Sequence, residues 1–362
     1  MSSLMEYKCP NCGGAVNFDT SSQSLKCPYC DTTFDMESAK AYDEDLNDVQ
    51  ENEIKWDEYN EKSGNGDWQE GEQDQMITYV CESCAGEIIA DDTVAGTKCP
   101  YCGNPVIIKN QFAGTFRPDF VIPFQLDKKI AKLKLKEFMK GKPLLPKYFA
   151  TENHIDEIKG LYVPFWLFDC DTDAKIRYKA TKVRTWSDTN YRYTRTDFYS
   201  LIREGSMDFT KVPVDGSTKM EDAYMESIEP FDYSGLVEFQ TAYLAGLLTN
   251  KYDVDADKSI PRANERIKNS VVKSFQETIH GYSSCIAEST NIKLNSGEIS
   301  YALLPVWILN STYKGKMYSF AMNGQTGKFV GELPIDKGRA FGFFMAIFGG
   351  LAVVGSTLAL LL

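Results

Sequence analysis

Residues 9–30, CPNCGGAVNFDTSSQSLKCPYC, return at residues 81–102 as CESCAGEIIADDTVAGTKCPYC. Each stretch sets two Cys-x-x-Cys pairs around fourteen intervening residues. The first holds Cys9, Cys12, Cys27 and Cys30; the second holds Cys81, Cys84, Cys99 and Cys102, all shifted by 72. Tyr7/Tyr79, Gly14/Gly86, Asp19/Asp91, Lys26/Lys98, Pro28/Pro100 and Tyr29/Tyr101 coincide at the same shift, so the front of the chain reads as an internal duplication. The chemistry explains the spacing. Each short Cys-x-x-Cys turn offers two thiolates to one metal, and the intervening hairpin brings the second pair round to complete a tetrahedron. Small residues beside the turns (Gly13, Gly14, Ala85, Gly86, Gly103) let backbone amides approach the sulfurs. The expectation is two zinc ribbons with two structural Zn2+ ions, because four thiolates leave no open position for a substrate water. A rubredoxin-like iron site uses similar knuckles and is the chemical alternative. A ribbon of about 28 residues cannot bury a core alone, so metal binding has to supply most of its folding free energy.

Outside these pairs only Cys170 and Cys285 remain, and both read as small core residues. Met1 to Met5 has neither a basic start nor an apolar run, so no secretory signal is expected. A reducing compartment follows, where paired cysteines are metal ligands rather than disulfides. The 362 residues suggest two or three domains, and 43 % hydrophobic with 13 % aromatic residues is enough for packed cores. With only His154 and His280, most histidine-based triads and three-histidine metal sites are excluded, and neither histidine is assigned a role.

The net charge of −12 counts against a general nucleic-acid binder. It comes from one place. Asp35 to Asp74 holds fifteen Asp or Glu against three Lys, a balance of −12, so the rest of the chain sums to zero. This stretch reads as a solvated linker, with Trp56 and Tyr59 as the alternative, aromatic docking anchors. At the far end, Ala340 to Leu362 (AFGFFMAIFGGLAVVGSTLALLL) carries no charged residue anywhere along its length. At 1.5 Å per residue it reaches about 34 Å, enough for a hydrocarbon core of about 30 Å. Lys337 and Arg339 precede it, which keeps the N-terminal part in the cytoplasm. The small residues Gly342, Ala346 and Gly350 predict a face where a second copy's helix packs closely, a homo-oligomer contact.

Between ribbons and tail, Asp127 caps a helix to about Lys140 with Ala131, Leu135, Phe138 and Met139 on one face and Gly141 as its stop. A second helix starts near Pro261, with Ile267, Val271, Phe275 and Ile279 on one face and Gly281 as its stop. A similar strand follows each stop at nearly the same distance, LYVPFWLFD around Pro164 and Trp166 and YALLPVWIL around Pro305 and Trp307. Two related helix-then-sheet units are inferred. Residues 313–334 read as a hairpin whose turn is Asn323-Gly324. Helices packed on antiparallel sheet are the expected architecture.

Two motifs read as decoys. Gly324-Gln-Thr-Gly-Lys328 lacks the full phosphate-loop pattern and sits at a hairpin tip. Ala174 to Arg203 carries eight Lys or Arg and two Asp, interleaved with Tyr178, Trp186, Tyr191, Tyr193, Phe198 and Tyr199. That composition suits a single-strand nucleic-acid platform, yet alternating basic and aromatic residues are also the ordinary exposed face of antiparallel strands.

The stretches CPNCGG, CPYC, RPDFVIPF (Arg117 to Phe124), GLYVPFWLFD (Gly160 to Asp169), YLAGLLTNKYDVD (Tyr243 to Asp255) and LPVW (Leu304 to Trp307) together resemble a bacterial family. It is the double TFIIB-type zinc-ribbon, membrane-anchored (YdjG-like) family. Such proteins are often labelled replication-restart helicases, but this chain has no Walker motif and the label does not transfer. The resemblance implies a membrane-bound, non-enzymatic component associated with envelope stress, acting beside membrane-organising proteins.

The resulting expectation is an α+β protein. Residues 1–34 form one ribbon, 35–76 an acidic linker, 77–106 the second ribbon, 107–338 a globular region of two related units (about 107–212 and 255–338), and 340–362 a single transmembrane helix. Its expected role is a cytoplasmic adaptor at the cell membrane, meeting the lipid bilayer through 340–362 and a membrane or membrane-associated protein through the ribbons, with Tyr29, Tyr101 and Trp56 as aromatic anchors. No catalytic or cofactor-binding residue is expected, and nucleic acid is not an expected partner. The competing class is a membrane-tethered nucleic-acid binder.

Overall fold

A computed structural model describes residues 7–9, 14–38, 56, 68, 71–72, 76–91, 99–104, 108–111, 116–151, 155 and 157–361. The strands begin with β1 (Asn17–Asp19), β2 (Ser24–Lys26), β3 (Thr33–Phe34), β4 (Met76–Val80), β5 (Glu87–Asp91), β6 (Ile108–Gln111) and β7 (Phe120–Val121). Helix α1 (Lys128–Met139), β8 (Lys159–Ser187), β9 (Arg192–Asp215), α2 (Asp222–Ser227), β10 (Val237–Glu238) and β11 (Leu248–Asn250) follow. Then come α3 (Ala256–Glu277), β12 (Ser284–Tyr313), β13 (Lys316–Asn323), β14 (Phe329–Gly331) and α4 (Lys337–Leu361). Two units emerge. One comprises Met1–Trp56, Asp169–Val212 and Arg262–Glu298; the other comprises Asp57–Phe168, Pro213–Pro261 and Ile299–Leu362.

In the larger unit the strand order β10-β7-β12-β8-β11-β5-β4-β6 continues the second cysteine stretch into the main sheet. The sheet is mixed, not antiparallel as expected: β7 runs parallel to β12 and β11 parallel to β8. A parallel neighbour needs a long crossover, and the connection from β7 to β12 contains both α1 and α3. The sequence did carry a hint. Residues 160–168 and 301–309 are unbroken buried runs, the pattern of strands covered on both faces.

One set of bonds is built twice. The indole N–H of Trp307 donates to the Leu126 carbonyl (3.0 Å), just ahead of α1, and that of Trp166 donates to the Val254 carbonyl (2.8 Å), just ahead of α3. The Gly324 amide donates to Pro305 (2.8 Å) while its carbonyl accepts from Gln125 and Leu126; the Gly216 amide donates to Pro164 (2.8 Å) while its carbonyl accepts from Asp253 and Val254. Phe124 packs edge-on to Trp307, and Tyr252 edge-on to Trp166. Each Trp thus binds the segment that opens the other helix. Leu248 pairs with Leu161 as Phe120 pairs with Ala302, so β11, outside the expected second unit, belongs to this pattern.

The apolar faces expected of both helices are buried. Ala131, Leu135 and Met139 of α1 meet Phe149, Trp307, Phe320 and Met322. In the smaller unit, Ile267, Val271 and Phe275 of α3 meet Cys170, Ala174, Ile176 and Tyr178. Helix α3 begins at Ala256, ahead of the expected start, and Pro261 lies inside it. Pro261 is exposed, so the carbonyl that loses its amide partner can be hydrated. The hairpin expected at Asn323-Gly324 is present between β13 and β14, and a second, tighter turn at Lys314-Gly315, both at positive φ, joins β12 to β13 between Tyr313 and Lys316. The Asn323-Gly324 connection is wider and closes as Met322 pairs with Phe329. The Asn323 carboxamide oxygen accepts from the Gln325 and Thr326 amides.

Replacing Trp166 or Trp307 with Phe keeps most of the apolar surface but leaves a part-buried carbonyl without its donor. Each substitution should cost about 1–3 kcal/mol, read as a shift in the chemical-denaturation midpoint of the full chain in detergent. Equal stability of both variants and the parent would refute the role given to these bonds.

Candidate metal centres

The Cys81–Cys84 turn and its repeats fold the same way, because the backbone closes on itself after each pair. The Cys81 amide donates to Gly86 (3.0 Å), Cys99 to Asn104 (2.7 Å), Cys27 to Thr32 (2.9 Å) and Cys9 to Gly14 (2.8 Å). The fourth residue beyond the first cysteine returns an amide to it: Ala85 to Cys81, Gly103 to Cys99, Asp31 to Cys27. All three of these residues have positive φ, and only one is glycine. Holding Ala85 and Asp31 there costs about 1–2 kcal/mol each, which the closed turn offsets.

Cys81, Cys84, Cys99 and Cys102 bring their sulfurs within 4.8 Å of one another. Cys81 and Cys102 lie 3.5 Å apart, and Cys84 and Cys99 lie 3.6 Å apart. A disulfide needs about 2.05 Å. Four sulfurs each about 2.3 Å from a central ion sit about 3.8 Å apart, so the group fits a tetrahedral metal. Amides aim at the sulfurs: Ser83 and Cys84 at Cys81, Gly86 at Cys84, Tyr101 and Cys102 at Cys99. Burial pushes the Cys99 and Cys84 thiols up. Burial acts on Cys81 too, but the Cys84 and Ser83 amides and neighbouring thiols outweigh it and bring it down to about 7. Of the first group, Cys9, Cys27 and Cys30 are clustered, with 3.6 Å between the Cys9 and Cys30 sulfurs. Cys12 lies outside the described residues.

The two centres have different surroundings. Cys9, Cys27 and Cys30 go with a separate three-stranded sheet, β1-β2-β3. The second centre is part of its unit's core, where Cys81, Cys99 and Tyr101 cluster with Ile88, Val163, Leu304 and Ile308. Asn310 donates to the Pro100 and Tyr101 carbonyls (2.7 and 2.8 Å), and Lys219 to the Cys84 carbonyl (3.2 Å). Sequence reasoning missed Asn310 and Lys219. Nothing at their own positions signals a partner so distant along the chain.

Other expected residues are placed differently from their reading. Tyr29 is 75 % exposed, but Tyr101 is only 5 % exposed and cannot anchor a partner. Trp56 donates to Asn264 (2.9 Å) and lies where a side chain on Gly297 would stand, so it packs within its own unit. Tyr59 and His154 lie outside the described residues. Elsewhere in the acidic stretch, Trp68 packs edge-on to Phe239 and Glu72 pairs with Arg117 (2.9 Å). Burial pushes the Cys170 thiol up to about 12, with Asp171 and Asp169 adding to it, in keeping with an inert core residue. Of the basic strand aromatics, Tyr178 is buried and donates to Val272.

Helix α4 takes in Lys337 and Arg339, and it is long and apolar enough to cross a membrane. Asp336 caps it, accepting from the Gly338 and Arg339 amides, and Arg339 donates to the Leu145 carbonyl (2.7 Å). Its residues from Phe341 to Thr357 are exposed.

Gly86 and Gly14 make room for tyrosine rings; an added Cβ would stand 2.8 Å from Tyr101 and 2.6 Å from Tyr29 respectively. Tyr29 can swing into solvent and Tyr101 cannot. Gly86→Ala should therefore cost about 1–3 kcal/mol by thermal or chemical unfolding. Gly14→Ala should stay within about 0.5 kcal/mol.

The chain is 32 % identical over 364 residues to the Bacillus subtilis (strain 168) protein YdjG, described as uncharacterized, covering 96 % of this chain and 95 % of that protein. No family model and no solved structure matches.

Proposed function

The chain belongs to the family of the Bacillus subtilis protein YdjG, and from there we propose that it is a membrane-anchored cytoplasmic adaptor with no catalytic step of its own. Two structural zinc ions hold two ribbons, which present a rigid surface to a membrane or membrane-associated protein. Helix α4 crosses the membrane once, and Lys337 and Arg339 keep what precedes it in the cytoplasm. The observation that carries this reading is the second tetrathiol centre. Its four sulfurs close a coordination sphere within a hydrophobic core, so the metal there is a fold element with no position for substrate. A role in envelope stress or membrane organisation follows from the family resemblance, and close packing of a second copy through Gly342, Ala346 and Gly350 is part of the same proposal. The twofold bond pattern around Trp166 and Trp307 supports an origin of the globular region by duplication.

One observation favours the nucleic-acid alternative. Trp186 and Tyr193 stack at 5.6 Å and are exposed, beside a basic hairpin. Several cations of that hairpin are engaged: Arg195 pairs with Asp197, Lys179 lies over Phe198, and Arg177 is buried beside Glu288. Each phosphate contact needs an available cation. The full chain in detergent should show no salt-sensitive binding of labelled single-stranded DNA or RNA at about 150 mM salt. A micromolar, salt-dependent shift would overturn the adaptor reading.

Metal analysis of the purified chain should return two zinc per chain, one for each cysteine group. Mostly iron, or one equivalent, would overturn the proposal. Cys27→Ser and Cys99→Ser should each lose one equivalent. Only Cys99→Ser should also lower the melting temperature of the larger unit, because only Cys99 lies in its core.

A further inference from the structure

Helix α1 and the loop after it form a densely basic stretch of an acidic protein. From Asp127 to Tyr148 there are eight lysines against Asp127 and Glu137, a balance of +6 in a chain whose total is −12. Lys128, Lys129, Lys136, Lys140, Lys142 and Lys147 are all exposed. Their arrangement is not that of a solvated face alone. Lys129, Leu133 and Lys136 recur at helical spacing on the side away from the buried Ala131, Leu135 and Met139, and Leu133 is 63 % exposed. Tyr148, 49 % exposed, adds a second apolar group beside Lys147.

This stretch is tied to the root of α4. Arg339 donates to the Leu145 carbonyl (2.7 Å) and the Asp336 amide to the Leu144 carbonyl (2.9 Å), within the loop between Lys142 and Lys147. Where Lys337 and Arg339 enter a membrane interface, this loop arrives with them. Consecutive Cα atoms are about 3.8 Å apart, so Lys142 and Lys147 stand within a few residues of the surface. That separation is comparable with the screening length of about 8 Å at physiological salt.

We propose that the lysine-rich face of α1 and the 140–148 loop is a second membrane contact that binds anionic phospholipid headgroups beside α4. The lysines supply the attraction, and Leu133 and Tyr148 supply apolar and interfacial groups of the kind that enter the headgroup layer. The contact holds the globular part against the bilayer rather than leaving it to pivot on the helix. It rests on the reading of α4 as a membrane span.

The test uses the full chain in nanodiscs of phosphatidylcholine alone or mixed with phosphatidylglycerol, with amine acylation of each lysine followed by mass spectrometry. Lys129, Lys136, Lys140 and Lys142 should react about fivefold more slowly in the anionic discs. The difference should vanish near 1 M salt, where the screening length is about 3 Å. The exposed Lys258 should not respond to lipid composition. The variant Lys140→Glu/Lys142→Glu should still enter discs but lose the protection of Lys129 and Lys136. A chain that enters discs with no composition-dependent protection overturns the lipid contact and leaves the span standing. Protection equal in both discs and in detergent assigns these lysines to a protein cover, such as the acidic 35–74 stretch, and also overturns it. A chain that enters neither disc overturns the span and the contact together.

Discussion

The bond from the Trp307 indole to the Leu126 carbonyl, with its counterpart from Trp166 to Val254, is the constraint on which the larger unit turns. An indole N–H buried without an acceptor is costly, and so is a buried carbonyl without a donor. Pairing them fixes the residue two positions ahead of each long helix against a strand contributed by the other half of the chain. The helix then starts at a set height. The apolar face of α1 meets the core of this unit, and the strand after each helix lies in the middle of the sheet. The glycines that accept and donate beside each Trp tighten the same corner, and on Gly324 even a Cβ would stand 2.9 Å from Pro305.

The cysteine centres relate to this arrangement in two ways. The first stands with its own small sheet. The second is joined to the core through β5 and β11, through Asn310 and Lys219, and through the buried ring of Tyr101. A metal held at the second centre would thus be coupled to the stability of a much larger body. The same local chemistry acts in one place as a self-contained clip and in the other as a rivet within a sheet.

Charge is segregated along the chain as well. The acid is concentrated in one stretch, and one of the two basic stretches is attached to the helix that is apolar enough to enter a membrane. In the β8–β9 hairpin Arg195 pairs with Asp197, and Lys179 and Lys182 lie over the rings of Phe198 and Tyr199.

What could be read from the residues alone is what short-range chemistry controls. Cys-x-x-Cys spacing places two thiols on one turn whatever surrounds it, the periodicity of α1 and α3 names their buried faces, and an uncharged run from Ala340 to Leu362 suits only an apolar medium. The recurrence of Pro-x-Trp was legible too, but its meaning was not. That β12 and β8 run parallel to β7 and β11 emerged with the fold, because direction depends on where a crossover lands and not on which residues are apolar. The fold also set Tyr29 in solvent and Tyr101 in the interior, though both follow Cys-Pro in identical local sequence. Whether such a ring meets water or a core is set by Val163, Leu304 and Ile308. Those residues lie far along the chain, and short-range patterns do not report them.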